Sequence, residues 1–168
     1  MKKISKLINE YLAKILICLL IAPFLLIPAK SYAEVAETQI NGDLIEASTE
    51  FLRDLDYETW QLVAYKSSNN DEKLVLRIIG YPGNLRIDHP LPLDVESGRK
   101  KWQLDDVTLL NIELAEDGRQ AAAEFDLEDL LVDISQNRPL RLSLQGVFSE
   151  LPVPPFLVKE WRSLKSQS

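Results

Sequence analysis

Clusters of turn-forming residues cut the chain into short apolar segments, and that punctuation most narrows what it can fold into. Ser67-Ser68-Asn69-Asn70-Asp71, Gly80-Tyr81-Pro82-Gly83, His89-Pro90-Leu91-Pro92, Ser97-Gly98-Arg99-Lys100-Lys101 and Glu116-Asp117-Gly118-Arg119 leave room between them for strands but not for long helices. Tyr57 to Lys66, with Trp60, Leu62 and Ala64 on one face, and Leu74 to Ile79 are expected to form a hairpin across the Ser/Asn turn. Pro82 and Gly83 suit the second and third positions of a turn. A short strand is expected over Leu85–Asp88, the His89-Pro90-Leu91-Pro92 segment either ending it or lying at a sheet edge, and another over Leu93–Glu96. Asp117-Gly118 lies between Val107–Ala115 and Gln120–Asp126, the strongest hairpin signal in the chain. Leu140, Leu142 and Leu144 alternate with Arg141, Ser143 and Gln145, which predicts a strand over Pro139–Phe148.

Helical patterns are fewer. Asp43 and Glu46 resemble a capping box, and Leu44, Ala47, Phe51 and Leu55 recur at helical spacing, predicting a helix over 43–54. Asp126 can cap a short helix whose apolar side is Leu127, Leu130, Leu131 and Ile134. Pro154-Pro155 opens a C-terminal helix that would bury Leu157, Trp161 and Leu164. The expectation is a single α+β domain over 43–166, a largely antiparallel sheet of six to eight short strands with about three helices. It is preceded by a polar leader at 34–42 and followed by a tail at 167–168.

The N-terminus reads as an address. Lys2, Lys3, Lys6 and Lys14 precede an apolar run from Ile15 to Ile27, and Ser31-Tyr32-Ala33 supplies small residues for a signal peptidase. The run falls short of the ~20 residues that cross a bilayer, and Pro23 and Pro28 interrupt it. Residues 1–33 are therefore expected to be a cleaved Sec signal peptide, leaving an exported protein with no stable membrane anchor. Five of the 19 basic and one of the 26 acidic residues lie in that segment, so 14 and 25 remain, a formal charge of -11. Cys18 leaves with the signal, which excludes thiol chemistry from the mature chain. The acidic balance argues against nucleic acid, whose phosphates demand a surplus of Lys and Arg.

Few residues carry chemistry. His89 is the one imidazole, but Asp88 beside it would point to the opposite face of a strand, and no nucleophile-elbow sequence is present. Asp54, Asp56 and Glu58 imitate the start of a calcium loop, yet Thr59 stands where its sharp-turn glycine belongs and Tyr65 where its closing glutamate belongs. Asp105-Asp106 and Asp126-Glu128-Asp129 suit turns and helix caps, Arg99-Lys100-Lys101 a solvated turn, and no phosphate-binding glycine pattern occurs. No catalytic residue, metal or cofactor is expected. Two clusters of proline and aromatics remain as candidates for contact with a protein partner: Tyr81 and Pro82 with His89 and Pro90, and Pro152, Pro154 and Pro155 with Trp161. Stiff loops lose little entropy on binding. Tyr81 is the better anchor of the two aromatics, because the spacing of Trp161 with Leu157 and Leu164 suggests core.

The strings Asp54-Leu55-Asp56-Tyr57-Glu58-Thr59-Trp60, Arg77-Ile78-Ile79-Gly80-Tyr81-Pro82-Gly83 and Leu151-Pro152-Val153-Pro154-Pro155-Phe156, with Asp88-His89-Pro90 and Glu160-Trp161-Arg162, carry a likeness. Roughly from Phe51 to Trp161 the chain resembles a family of small exported cyanobacterial proteins known only as a domain of unknown function. The resemblance implies a thylakoid lumen or periplasm as the compartment, and supplies no catalytic residues. From that context the expected function is a non-catalytic accessory protein that binds a membrane complex, photosynthesis being the process the context suggests. A small-ligand carrier for a pigment or lipid is the alternative, and an unrecognised hydrolase the third reading.

Overall fold

A computed structural model describes residues 35–40, 43–80, 87–116 and 122–166. Among the described residues nine strands follow in chain order: β1 (Val35–Ile40), β2 (Asp43–Arg53), β3 (Thr59–Ser67), β4 (Lys73–Ile79), β5 (Leu93–Ser97), β6 (Lys100–Leu104), β7 (Ala122–Asp126), β8 (Leu140–Leu144) and β9 (Phe148–Val153). The helices are α1 (Ile112–Glu116), α2 (Glu128–Asp133) and α3 (Pro155–Ser166), with single 3-10 turns at Ser68–Asn70 and Thr108–Leu110. One sheet has the order β1-β2-β3-β4-β7 and the other β6-β5-β8-β9. Every described pairing is antiparallel. The fold is α+β, and Ala33–Ser168 forms one compact unit. Among the described residues no helix is long and apolar enough to cross a membrane.

Strands β3 and β4 of the five-stranded sheet are buried on both faces over most of their length. Register places Ser48, Ala64, Leu76 and Phe125 in one row of the inner face, with Leu62, Ile78 and Ala123 in the next. These apolar side chains join Leu93, Val95, Leu142, Leu151, Leu157 and Trp161 in the main core, between the two sheets and helices α2 and α3. The outer face carries a smaller cluster of Ala47, Val63, Tyr65 and Val75, against which Val107 packs. Strands buried on both faces lose the alternation of a half-exposed strand.

Trp60 ties the sheets together. Its indole N–H donates to Asp54 Oδ2 at 2.9 Å, and its ring meets Phe148 of the other sheet edge-on, centroids 5.0 Å apart. Gly80 lies directly against it, where a Cβ would sit 2.7 Å from the ring. Helix α3 docks by Leu157, Val158, Trp161 and Leu164, all buried. Ser48 donates to Glu160 Oε2 at 2.6 Å, and Lys165 to Glu128 at 2.6 Å, so α3 is pinned to β2 and to the start of α2.

Several expectations need correction. Residues 43–53 form strand β2, not a helix: Ala47 is buried on the outer face while Ser48 is buried on the inner one, and Phe51 and Leu55 are 62% and 58% exposed. Helical spacing arose there by coincidence between two differently covered faces. The segment expected as a leader is β1, paired with β2 along its length. Val107–Ala115 is a 3-10 turn and a short helix, and its hairpin with β7 shrinks to the bridge between Asp106 and Phe125. Ile87 and Asp88 are not in a strand, and Leu85 and Arg86 lie outside the described residues. Lys100 and Lys101 belong to β6 rather than to a turn. The expected long strand ends at Leu144, and Leu151-Pro152-Val153 runs on as β9. Pro152 is tolerated because β9 is the sheet's edge, where a missing N–H costs no ladder bond.

Gly80→Ala is expected to destabilise the protein by about 1–3 kcal/mol, the usual cost of forcing an extra methyl into a packed site. Urea denaturation with an unchanged m-value checks it.

Candidate functional site

The described members of the two proline clusters lie toward opposite ends of the four-stranded sheet. Tyr81 and Pro82 lie outside the described residues. Pro90 is exposed just before β5, at the end of the four-stranded sheet where β5 begins. Pro152 faces Arg141, which in turn pairs with Glu96. Pro152, half-buried Pro154 and exposed Pro155 therefore sit toward the opposite end of that sheet. Trp161 is fully buried in the core, and so offers nothing to a partner. His89 is likewise withdrawn, its side chain 5% exposed. Its Nδ1 lies 2.7 Å from Asp106 Oδ2, and the Leu91 amide donates to the same oxygen at 2.8 Å. Asp106, 17 positions away in sequence, is the carboxylate that fastens this loop.

At the Pro90 end, the β2–β3 connection is held by one side chain. Asp54, 7% exposed, accepts the amides of Asp56 and Glu58 on Oδ1, both at 2.9 Å, and the Trp60 indole on Oδ2. Its own N–H donates to the Glu58 carbonyl at 3.1 Å, and the Leu55 N–H reaches Glu150 of β9 at 3.3 Å. The acidic string that imitates a calcium loop is a turn organised by its first carboxylate. Among the described residues no group of three ligating side chains is positioned for a metal ion. The turn forces Tyr57 to φ +66°, a left-handed conformation uncommon outside glycine. It also presents Leu55 and Tyr57 outward, Tyr57 at 80% exposure. Beside them an open groove of about 450 Å³ is lined by Asp56, Asp94, Ser143, Gln145, Val147 and Ser149.

A second polar assembly lies on the outer face of the five-stranded sheet. Glu124, 2% exposed, accepts hydrogen bonds from the Tyr65 hydroxyl, from Arg77 Nε at 2.7 Å and from Asn111 Nδ2 at 3.1 Å. Arg77 also donates to the Tyr65 oxygen at 2.7 Å. Burial, together with the Glu124 charge beside it, raises the Tyr65 hydroxyl beyond its ordinary range and keeps it a donor. The Glu124 N–H donates to Thr108 Oγ1 at 2.8 Å, and the Thr108 hydroxyl donates to Asp106. Burial raises the Asp106 carboxyl, but bonds from Thr108, His89 and Leu91 outweigh it and hold the group below the usual carboxylate range. The His89 loop, the 106–112 segment and β7 are thus one hydrogen-bonded unit. Sequence reasoning missed Asp106, Asn111 and Glu124 as its organisers. The available signal was Glu124 itself, a charge in the middle of the apolar run Ala122-Ala123-Glu124-Phe125.

The family model described as "Protein of unknown function (DUF3122)" matches residues 33–164. No curated protein and no solved structure matches the chain.

Glu160 supplies a pH test. Its carboxyl is raised above the usual range, chiefly by burial and further by the Glu50 charge, with the Ser48 bond opposing. A carboxyl whose folded pKa exceeds its unfolded one favours the fold when protonated, and that contribution is lost as pH rises through the folded value. Glu160→Gln should therefore be at least as stable as the parent at pH 7, with the difference vanishing below about pH 4. Thermal melts of both proteins across pH 4 to 7 check this.

Proposed function

The chain belongs to the DUF3122 family of proteins of unknown function, and we propose that it is an exported, non-catalytic accessory protein that binds a protein partner, a membrane complex met in the thylakoid lumen or periplasm. One observation carries the reading: the 54–58 turn holds Leu55 and Tyr57 in solvent on a rigid, strained backbone. An L-residue in the left-handed region costs roughly 1–2 kcal/mol, and a large exposed aromatic gains nothing for the isolated fold in return. Strain kept at an exposed, pre-organised side chain fits recognition, where tyrosines are enriched among the residues that dominate binding energy. Exposed Asp56, Glu58 and Asp94 surround the site, and exposed Pro90 stands at the same end of the fold. The charge of -11 on residues 34–168 and these carboxylates favour a partner with basic and apolar features over an anionic lipid surface.

Hydrolysis is the second reading. His89 is oriented by Asp106, and its Nε2 has no hydrogen-bond partner among the described residues, as in a general base awaiting a nucleophile. Its burial points instead to a staple that holds the loop.

Tyr57→Gly separates function from fold. Glycine relieves the positive φ, so stability should hold or rise by up to about 1 kcal/mol. Association with membranes bearing the native complex should weaken about tenfold, the loss of a modest hot spot. Co-sedimentation and thermal melting measure the two quantities, and undiminished association would remove this loop from the interface.

A further inference from the structure

Residues 108–112 are built inside out. The polar members of this stretch, Thr108 and Asn111, are each 1% exposed, while Leu109, Leu110 and Ile112 are 60%, 52% and 67% exposed. Scattered exposed leucines are ordinary on a soluble protein, but three large apolar side chains within four residues, with the polar ones turned inward, are a local inversion of that rule. The inversion is enforced. Thr108 accepts the Glu124 amide, Asn111 donates to the Glu124 carboxylate, and Val107 donates to the Glu124 carbonyl at 2.8 Å. The Asn111 side-chain oxygen then accepts the Glu113 amide and starts α1. The apolar side chains cannot roll inward without breaking bonds to a buried charge.

We propose that this segment is a docking ledge for an amphipathic helix of another protein, one carrying Lys or Arg beside its apolar stripe. The charge of the ledge selects that occupant. Asp105, Glu113 and Glu116 flank the three apolar side chains and are exposed, and residues 105–116 contain no basic residue. A second copy of this chain would bring two acidic rims together, and an anionic lipid surface would meet the same repulsion. A helix with basic residues along the edge of a leucine stripe satisfies both the apolar face and its rim. The ledge lies at the β7 edge of the five-stranded sheet, whereas the 54–58 turn joins β2 to β3. The two surfaces give the protein a place for two contacts at once.

The test uses synthetic helices of one length, a Leu–Lys amphipathic peptide and its Leu–Glu counterpart, titrated calorimetrically into the full-length chain. The Leu–Lys peptide should bind with an affinity that falls as salt rises, and the Leu–Glu peptide at least tenfold more weakly. Leu110→Ser with Ile112→Ser should weaken Leu–Lys binding about tenfold with the melting temperature unchanged, because both side chains are exposed. Glu113→Lys with Glu116→Lys keeps the apolar side chains and should reverse the preference between the peptides. Equal binding of both peptides, or Leu–Lys binding that neither variant alters, overturns the proposal. So does concentration-dependent dimerisation in sedimentation that the serine variant abolishes, which would make a second copy the occupant. Tyr57→Gly must leave Leu–Lys binding intact, so failure at the ledge and failure at the β2–β3 turn are read separately; if Tyr57→Gly abolishes it, the ledge is not the site.

Discussion

Trp60 is the contact on which the two sheets depend. Its ring fills the space between β3 and β9, and its one polar atom is paired with Asp54. Gly80 is the only residue type whose backbone can pass so close to the indole, since any Cβ would overlap the ring. The same Asp54 carboxylate fixes the β2–β3 turn, so the core anchor and the geometry of the most exposed loop share an atom group. Packing in the interior is thereby transmitted to the orientation of Tyr57 at the surface. An exposed aromatic on a free loop would lose conformational entropy on binding; here the fold has already fixed it.

Glu124 does the corresponding work on the outer face. A carboxylate taken out of water is costly unless its lone pairs are met, and here a guanidinium, a phenol and a side-chain amide meet them. Removing a partner from such a set is more damaging than its net contribution suggests, because the remaining charge stays buried. The consequence is geometric rather than energetic. Three donors arriving from β3, β4 and the 108–112 segment leave that segment one orientation, and in that orientation its leucines face outward. The Asp106 carboxylate extends the arrangement to the His89 loop through Thr108.

How much was legible follows from what each residue's neighbours are. The β3–β4 hairpin, β5, β8, α2 and α3 declare themselves because their patterns are local: alternation in Leu140–Leu144, a turn of Ser and Asn, paired prolines before Leu157. β2 was unreadable because its two faces meet different covers, so Ala47 and Ser48 are both buried and alternation vanishes. The Pro-rich string at 151–156 suggests a loop, but the strand it contains exists because β9 is an edge. His89 is paired with Asp106 rather than with its neighbour Asp88, and a partner 17 residues away leaves no trace in spacing. The string that imitates a calcium loop carries Thr59 and Tyr65 where that loop needs glycine and glutamate, but its use in the fold, in which Asp54 serves the turn and Trp60 together, required the third dimension.

Two places where the chain breaks a local rule are each held by a buried carboxylate. Tyr57 adopts a backbone conformation that glycine prefers, and Asp54 holds it there. Residues 108–112 turn their apolar side outward, and Glu124 holds them there. Sequences that specify a fold tend to agree with it at every level, and departures concentrate where selection acts on something other than stability. A carboxylate suits the holding role because it is acceptor-only, so it can gather several backbone and side-chain donors that have no ladder partner. Each such group also fixes negative charge near an exposed apolar side chain, with Asp56 and Glu58 beside Tyr57 and Glu113 and Glu116 beside Ile112. The result is two places where exposed apolar side chains are held in a fixed orientation beside exposed carboxylates.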